Sequence, residues 1–217
     1  PSRWHGLTGI SCNGLFLDHY GLQVALNEWC SDAASVEMTH GIVSTWDVSS
    51  VTNMNYLIYS APCRSTFNEA IDDWDVSRVT YMSGMFYRAS QFNQPLASWT
   101  VSNVTTMDSL FREASAFNQS VAAWNVGRVT QMPLMFHRAY AFNQPVNSWD
   151  VRRVTSMYQM FESATAFNQP LDGWNVSRVT RMDNMFKTAR AFDQNVSVWS
   201  VSRVTHMTNM FHGATAY

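Results

Sequence analysis

Arginine recurs in one register of this chain: Arg78, Arg128, Arg153, Arg178 and Arg203 are separated by 50 residues and then by 25 three times. A guanidinium is a planar fork that grips carboxylate or sulfate through two parallel N–H bonds. An evenly stepped row of such groups suits an anionic partner, either an acidic protein or a glycan bearing carboxylates or sulfates. The blander alternative is pairing with nearby aspartates or plain solvation. Three residues ahead of each arginine the same register holds small polar side chains, among them Asp47, Asp75, Asn125, Asp150 and Asn175. Ser49, Ser77, Ser102, Gly127, Arg152, Ser177 and Ser202 fall between the two rows. Together these rows predict an outward polar face for protein or glycan contact.

Other groups offer less. Asp47, Asp73 and Asp75 could converge on a calcium ion, but solvation accounts for them equally well and no metal site is expected. His137 and His212 share one register and His206 occupies another; all three are expected to face solvent. The unbroken row from Thr52 through Thr205 lacks the paired Thr-x-Thr face of an ice-binding surface and is read as helix capping. No Gly-x-Ser-x-Gly, His-Glu-x-x-His or glycine-rich phosphate loop occurs among the nine glycines. No catalytic activity and no cofactor are therefore expected.

These rows exist because one sentence is written seven times. Trp46, Trp74, Trp99, Trp124, Trp149, Trp174 and Trp199 are spaced by 28 residues and then by 25 five times. With tryptophan as position zero, Val recurs at +2 and +5, Thr at +6 and Met at +8. Met or Leu follows at +11, Phe (Ile58 in the first copy) at +12, Ala at +15, and Phe at +18 up to Tyr217. The first copy is three residues longer, around Pro62-Cys63-Arg64. Val104, Met107, Leu110, Phe111 and Ala114 match one face of a helix, and Trp99 and Val101 alternate with polar residues as in a short strand. The expectation is an α/β solenoid, leucine-rich-repeat-like, with one short parallel strand and one helix per 25-residue coil. A pure parallel β-helix is the alternative if the methionine segment is not helical. A single copy cannot bury enough surface to fold alone, so the copies must stack.

The division expected is an N-terminal helical cap over 1–45 and a solenoid over 46–217, in copies 46–73, 74–98, 99–123, 124–148, 149–173, 174–198 and a truncated 199–217. Leu22, Ala25, Leu26 and Trp29 predict one helix ending near Cys30-Ser31-Asp32, and a second is expected from Ala33 to about Thr39, stopped by Gly41. The seventh copy stops before its turn. The expectation is that the chain continues or that another subunit covers the edge through the C-terminal end. Three cysteines lie at 12, 30 and 63. Cys63 sits in the one insertion, where a crosslink between cap and first coil belongs, so Cys30–Cys63 is expected, with Cys12 as the competing partner and three free thiols as the alternative. Asn103, Asn118, Asn175 and Asn195 are candidate glycosylation sites, in a number that chance alone supplies. The Asn register at +19 is expected to tie neighbouring coils together as a ladder.

Composition agrees with a packed repeat. The 217 residues are 46% hydrophobic and 14% charged, with 13 Met, 9 Trp and a single lysine, Lys187. A formal net charge of −2 gives no broad attraction to nucleic acid, and no apolar run approaches the length that spans a bilayer. Neither a nucleic-acid partner nor membrane insertion is expected.

The segments Phe167-Asn168-Gln169-Pro170-Leu171, Trp174-Asn175-Val176-Ser177 and Val179-Thr180, with the recurring Met-x-x-Met-Phe-x-x-Ala, resemble the BspA-type leucine-rich-repeat surface proteins, also known from mycoplasma lipoproteins and from protist and algal surface proteins. The resemblance spans Trp46 to Tyr217. It implies a leucine-rich-repeat-like solenoid on a cell surface or outside the cell, used for adhesion or protein contact; the expected disulfide argues for the secretory route, with an organelle lumen as the alternative location. The functional expectation is a non-catalytic scaffold for protein or glycan binding; the alternative is a structural subunit of a larger assembly.

Overall fold

A computed structural model describes residues 15–217. Helix is confined to the start of this region: α1 (His19–Ser31), α2 (Ala33–His40), a 3₁₀ turn (Val43–Thr45) and a single-turn α3 (Leu57–Ser60). Asp18 caps α1 through a bond from Gly21 N–H at 2.8 Å, and Asp32 caps α2 through Ser35 N–H at 3.2 Å. Gly41, at φ 76°, ends α2 in backbone that glycine adopts without a Cβ clash. Leu22, Ala25 and Leu26 of α1 are fully buried. Ahead of these helices Leu15 bridges to Asp47, and the Phe16 ring packs 4.9 Å from Trp46.

From Trp46 onward the chain forms stacked coils, and their construction corrects the expected fold class. Among the described residues there is no β-strand, and no helix after Ser60. The expected α/β solenoid, with a strand and a helix in every coil, does not form, and the leucine-rich-repeat description that rested on it falls too. Each coil contributes one isolated parallel bridge at +7, running Asn53, Tyr81, Thr106, Gln131, Ser156, Arg181 and His206.

The rest of the coil is a polygon of tight turns. In the third copy Val104 N–H bonds to Val101 O, Leu110 to Met107, Ala114 to Phe111, Phe117 to Ala114, and Trp124 to Val121. Every one of these bonds joins residues three apart, and both of its residues are buried core side chains. A chain of i,i+3 turns therefore sends side chains inward every third residue, which on paper resembles a helical face. A helix is prevented because the donors alternate. Met107, Ser109, Phe111 and Glu113 donate instead to Gln131, Pro133, Met135 and His137 of the next coil, at 2.8–3.0 Å.

Two left-handed residues in each coil from the second onward, and Tyr56 alone in the first, make that alternation possible. Position +10 (Tyr56, Gly84, Ser109, Leu134, Gln159, Asn184, Asn209) and position +14 (Arg88, Glu113, Arg138, Ser163, Thr188, Gly213) all have φ between 53° and 74°. Such residues interrupt a right-handed helix. The strand expectation fails for a related reason. The N–H groups of Trp99 and Val104 close turns onto Leu96 and Val101 within their own stretch of chain, so they cannot pair sideways.

Packing between coils is continuous. The paired rings of one coil, such as Phe111 and Phe117, sit 3.9 Å apart. Phe111 also stacks on Phe136 of the next coil at 5.6 Å, and Trp149 on Trp174 at 6.5 Å with planes 5° apart. Polar ladders run beside the core. Asn93, Asn118 and Asn143 each accept, through Oδ1, the backbone N–H of the residue one coil on, at 2.9–3.0 Å. The asparagine ladder expected from the sequence is present. Threonine at +6 is a ladder as well: Thr130 donates both N–H and Oγ1–H to Thr105 O. Its expected part as a helix cap disappears with the helix.

Candidate functional site

The +4 arginines project from the corner that follows the tryptophan turn. Arg78, Arg128, Arg153, Arg178 and Arg203 are all exposed. Among the described residues none of the five takes part in an ion pair within 4 Å. Arg128 does have a neutral partner, since its Nη1 donates to Asn103 Oδ1 at 2.9 Å. Asn103 in turn donates to Ser77 O at 2.7 Å.

The contrast with position +13 is informative. There Arg112, His137, Glu162 and Lys187 follow one another, and opposite charges meet. Lys187 Nζ lies 3.3 Å from Glu162 Oε1, and Glu113 lies 3.0 Å from Arg88 and 3.7 Å from Arg112. The chain balances charge along one column and leaves four adjacent coils with the same charge along the other. Like charges on adjacent coils repel, weakly where water and salt screen them, and folding draws no benefit from placing them in one row. Ser50 and Asn103 hold the same position, so the turn itself does not need arginine there.

The +1 residues have a structural task that sequence alone did not indicate. Oδ1 of Asp47, Asp75, Asn125, Asp150 and Asn175 accepts the N–H two residues on, at 3.0–3.2 Å. These side chains fix the turn that presents the arginine. Asp150 does more: Arg152 Nε and Nη2 bind its Oδ1 and Oδ2, each at 2.8 Å, and this holds its carboxyl below the usual carboxylate range. Asp47 and Asp75 are occupied in their own turns. Among the described residues no three His, Cys, Asp or Glu side chains are grouped to hold a metal ion.

In coils four to six the two rows meet around an open depression of about 490 Å³, lined by Gly127, Asp150, Arg152, Arg153, Asn175, Ser177 and Arg178. It brings together Asp150, Asn175, Arg153 and Arg178 from the sequence-derived rows. Arg78, Arg203, Asp47, Asp75 and Asn125 are not part of it. The contribution of Gly127 was missed, although it is the one glycine in the +3 row. The Asp150–Arg152 pair, two residues apart, could also have been suspected.

Other expectations sort themselves by contact. Cys30 and Cys63 form a disulfide, with Cα atoms 5.3 Å apart, while Cys12 lies outside the described residues. Asn103 donates through its side chain to Ser77 O and Asn118 Oδ1 accepts from Asn143 N–H and Gln144 Nε2, while Asn175 and Asn195 are exposed, with Oδ1 accepting from Ser177 and Ser197 N–H. His206 and His212 are exposed, but His137 is not: it is only 6% accessible. Burial and the nearby Arg112, Arg138 and Lys187 charges push its pKa down to about 4. Its Nδ1 sits 3.8 Å from Glu162 Oε2. The expectation of a surface histidine is corrected there: His137 and Glu162 are the buried members of the row, covering one another between Arg112 and Lys187, whereas His212 lies in the last coil with no later coil beside it.

A family model described as "Mycoplasma protein of unknown function, DUF285" matches residues 24–145 and again 120–217. The chain belongs to the DUF285 family. The two matches overlap over residues 120–145, the end of the third coil and most of the fourth, as matches to a tandem array would. The DUF285 description assigns no activity, so the corner arginines and the depression remain the features to interpret. No curated protein matches the chain, and neither does any solved structure. Among the described residues no helix is long and apolar enough to cross a membrane.

Proposed function

We propose that this chain is a non-catalytic repeat scaffold that binds an anionic partner, protein or glycan, at a cell surface or outside the cell. The observation that supports this is the run of Arg128, Arg153, Arg178 and Arg203 on four successive coils, exposed and without a carboxylate within ion-pairing distance. Folding gains nothing from stacking like charges. A polyanion laid along the corner would neutralise them, and two-pronged guanidinium contacts would fix its register. Rigid coil spacing adds preorganisation, because the arginine stems leave backbone that is already held by Asx turns and threonine ladders.

The location follows from two supports. A Cys30–Cys63 disulfide fits an oxidising compartment, and the repeat resembles the BspA-type surface proteins. The test is a glycan and acidic-peptide array probed with the wild type and with an Arg128→Ser/Arg153→Ser/Arg178→Ser variant. Loss of binding, together with wild-type affinity that falls steeply as salt rises, is expected. Unchanged binding by the variant overturns the proposal.

A further inference from the structure

Gly127 lines the depression in coils four to six. It occupies +3, where Ser49, Ser77 and Ser177 hold the same Asx turn with a Cβ in place. Its φ is not in the left-handed region, so the backbone does not require glycine. A Cβ at 127 would lie 3.2 Å from Asn125 Oδ1 and 3.4 Å from Asp150 Oδ2, so the glycine leaves its space to these two oxygens and lets the Asp150 carboxylate close onto the turn beside the hollow.

The walls specify the chemistry of a ligand group in the hollow. Asp150 and Arg152 hold each other through two 2.8 Å bonds, so their charges cancel and the carboxylate does not repel an anion. Arg153 and Arg178 have no ionic partner and leave the hollow positive. Asn175 and Ser177 add an amide and a hydroxyl. No apolar side chain lines the space. A peptide hot spot needs an apolar or aromatic anchor pocket, which is missing here. A ring dense in hydroxyls and bearing a carboxylate or sulfate meets a partner at every wall.

We infer that this depression seats one unit of an acidic polysaccharide, its anionic group between Arg153 and Arg178 and its hydroxyls on Asn175, Ser177 and the Asp150–Arg152 pair. Arg128 and Arg203, one coil out on either side, hold the charges of adjoining units. The assignment rests on the arginine-corner reading and makes Gly127 the residue that lets Asp150 take its place in the wall.

Titration calorimetry of the whole chain with heparin, hyaluronate, polyglutamate and neutral dextran tests it. Wild type is expected to bind heparin through sulfate, or hyaluronate through carboxylate, and to ignore dextran. Gly127→Gln crowds the Asp150 carboxylate out of its place in the wall and is expected to weaken that binding at least about tenfold; Gly127→Ser, with its precedent in the row, weakens it less and guards against misfolding. Arg190→Ser removes the same charge elsewhere and leaves binding unchanged. If Gly127→Gln binds as wild type while Arg153→Ser/Arg178→Ser loses affinity, the seat is wrong and the arginine corner stands. If both variants bind as wild type, both readings fail. Polyglutamate bound as tightly as the polysaccharides overturns the saccharide assignment alone.

Discussion

Nε1 of Trp124 donates to the backbone carbonyl of Leu96 at 2.9 Å, across 28 residues of chain. The same bond recurs from Trp99 to Ile71, Trp149 to Val121, Trp174 to Val146 and Trp199 to Leu171. Tryptophan is needed at the head of each coil because the position demands a large ring with one donor at its edge. Phenylalanine supplies the ring but leaves the carbonyl with the backbone N–H three residues on as its one donor, as Leu96 O keeps Trp99 N–H.

Trp124→Phe is therefore expected to cost about 1–2 kcal/mol, from a lost buried hydrogen bond and a small cavity. Trp199→Phe, in the final copy where less is packed against the ring, costs less. Denaturant titration of both variants gives the comparison, and no loss in either would remove the hydrogen bond as the reason for tryptophan.

Left-handed backbone at +10 predicts an unusual preference. Leu134, at φ 59°, is half-buried, and its equivalents include Asn184 and Asn209. Leu134→Asn is expected to be neutral or stabilising by up to about 1 kcal/mol, whereas Leu134→Val destabilises by roughly 1–2 kcal/mol, since β-branching is poorly accommodated at positive φ. Melting temperatures of the pair decide it.

His137 makes stability depend on pH. Its folded pKa of about 4 lies below the ordinary value near 6.5, so between these pH values the unfolded chain binds more protons. Stability is complete above about pH 6.5 and falls as pH drops towards 4, by roughly 2–3 kcal/mol at pH 4.5. The surrounding Arg112, Arg138 and Lys187 oppose the imidazolium, while Glu113 and Glu162 favour it. His137→Gln is expected to flatten this part of the stability–pH curve, and an unaltered slope refutes the assignment.

The Cys30–Cys63 bond closes a loop of 33 residues, worth about 3–4 kcal/mol on chain-entropy grounds. The Cys30→Ala/Cys63→Ala variant should lose most of this. Amide exchange locates the loss: protection is expected to fall around α1, α2 and the first coil while the Phe136 and Phe161 amides keep theirs. Uniform loss along the chain would mean that the bond does not act locally.

How far each feature was legible follows from what fixes it. The inward columns from Trp46 to Met210 and the asparagine ladder were readable because each depends on like residues meeting at one-coil intervals, which spacing alone specifies; the cysteine pair was readable because Cys63 sits in the one insertion of the array. Secondary structure was not. An i,i+3 pattern of apolar residues is satisfied equally by a helix and by a succession of turns, and the choice fell to left-handed residues such as Ser109, Glu113 and Leu134, whose types give no warning.

The sequence by itself determined that seven units stack and which side chains form their common core, since burying identical faces against one another is a property of the repeat. Only the tertiary structure decided that alternate amides bond outward to the next coil. It also decided that His137 lies inside rather than out, and that Gly127, Arg153 and Arg178 from three different coils surround one hollow. Those relations depend on how coils are set beside each other in space, which no distance counted along the chain contains.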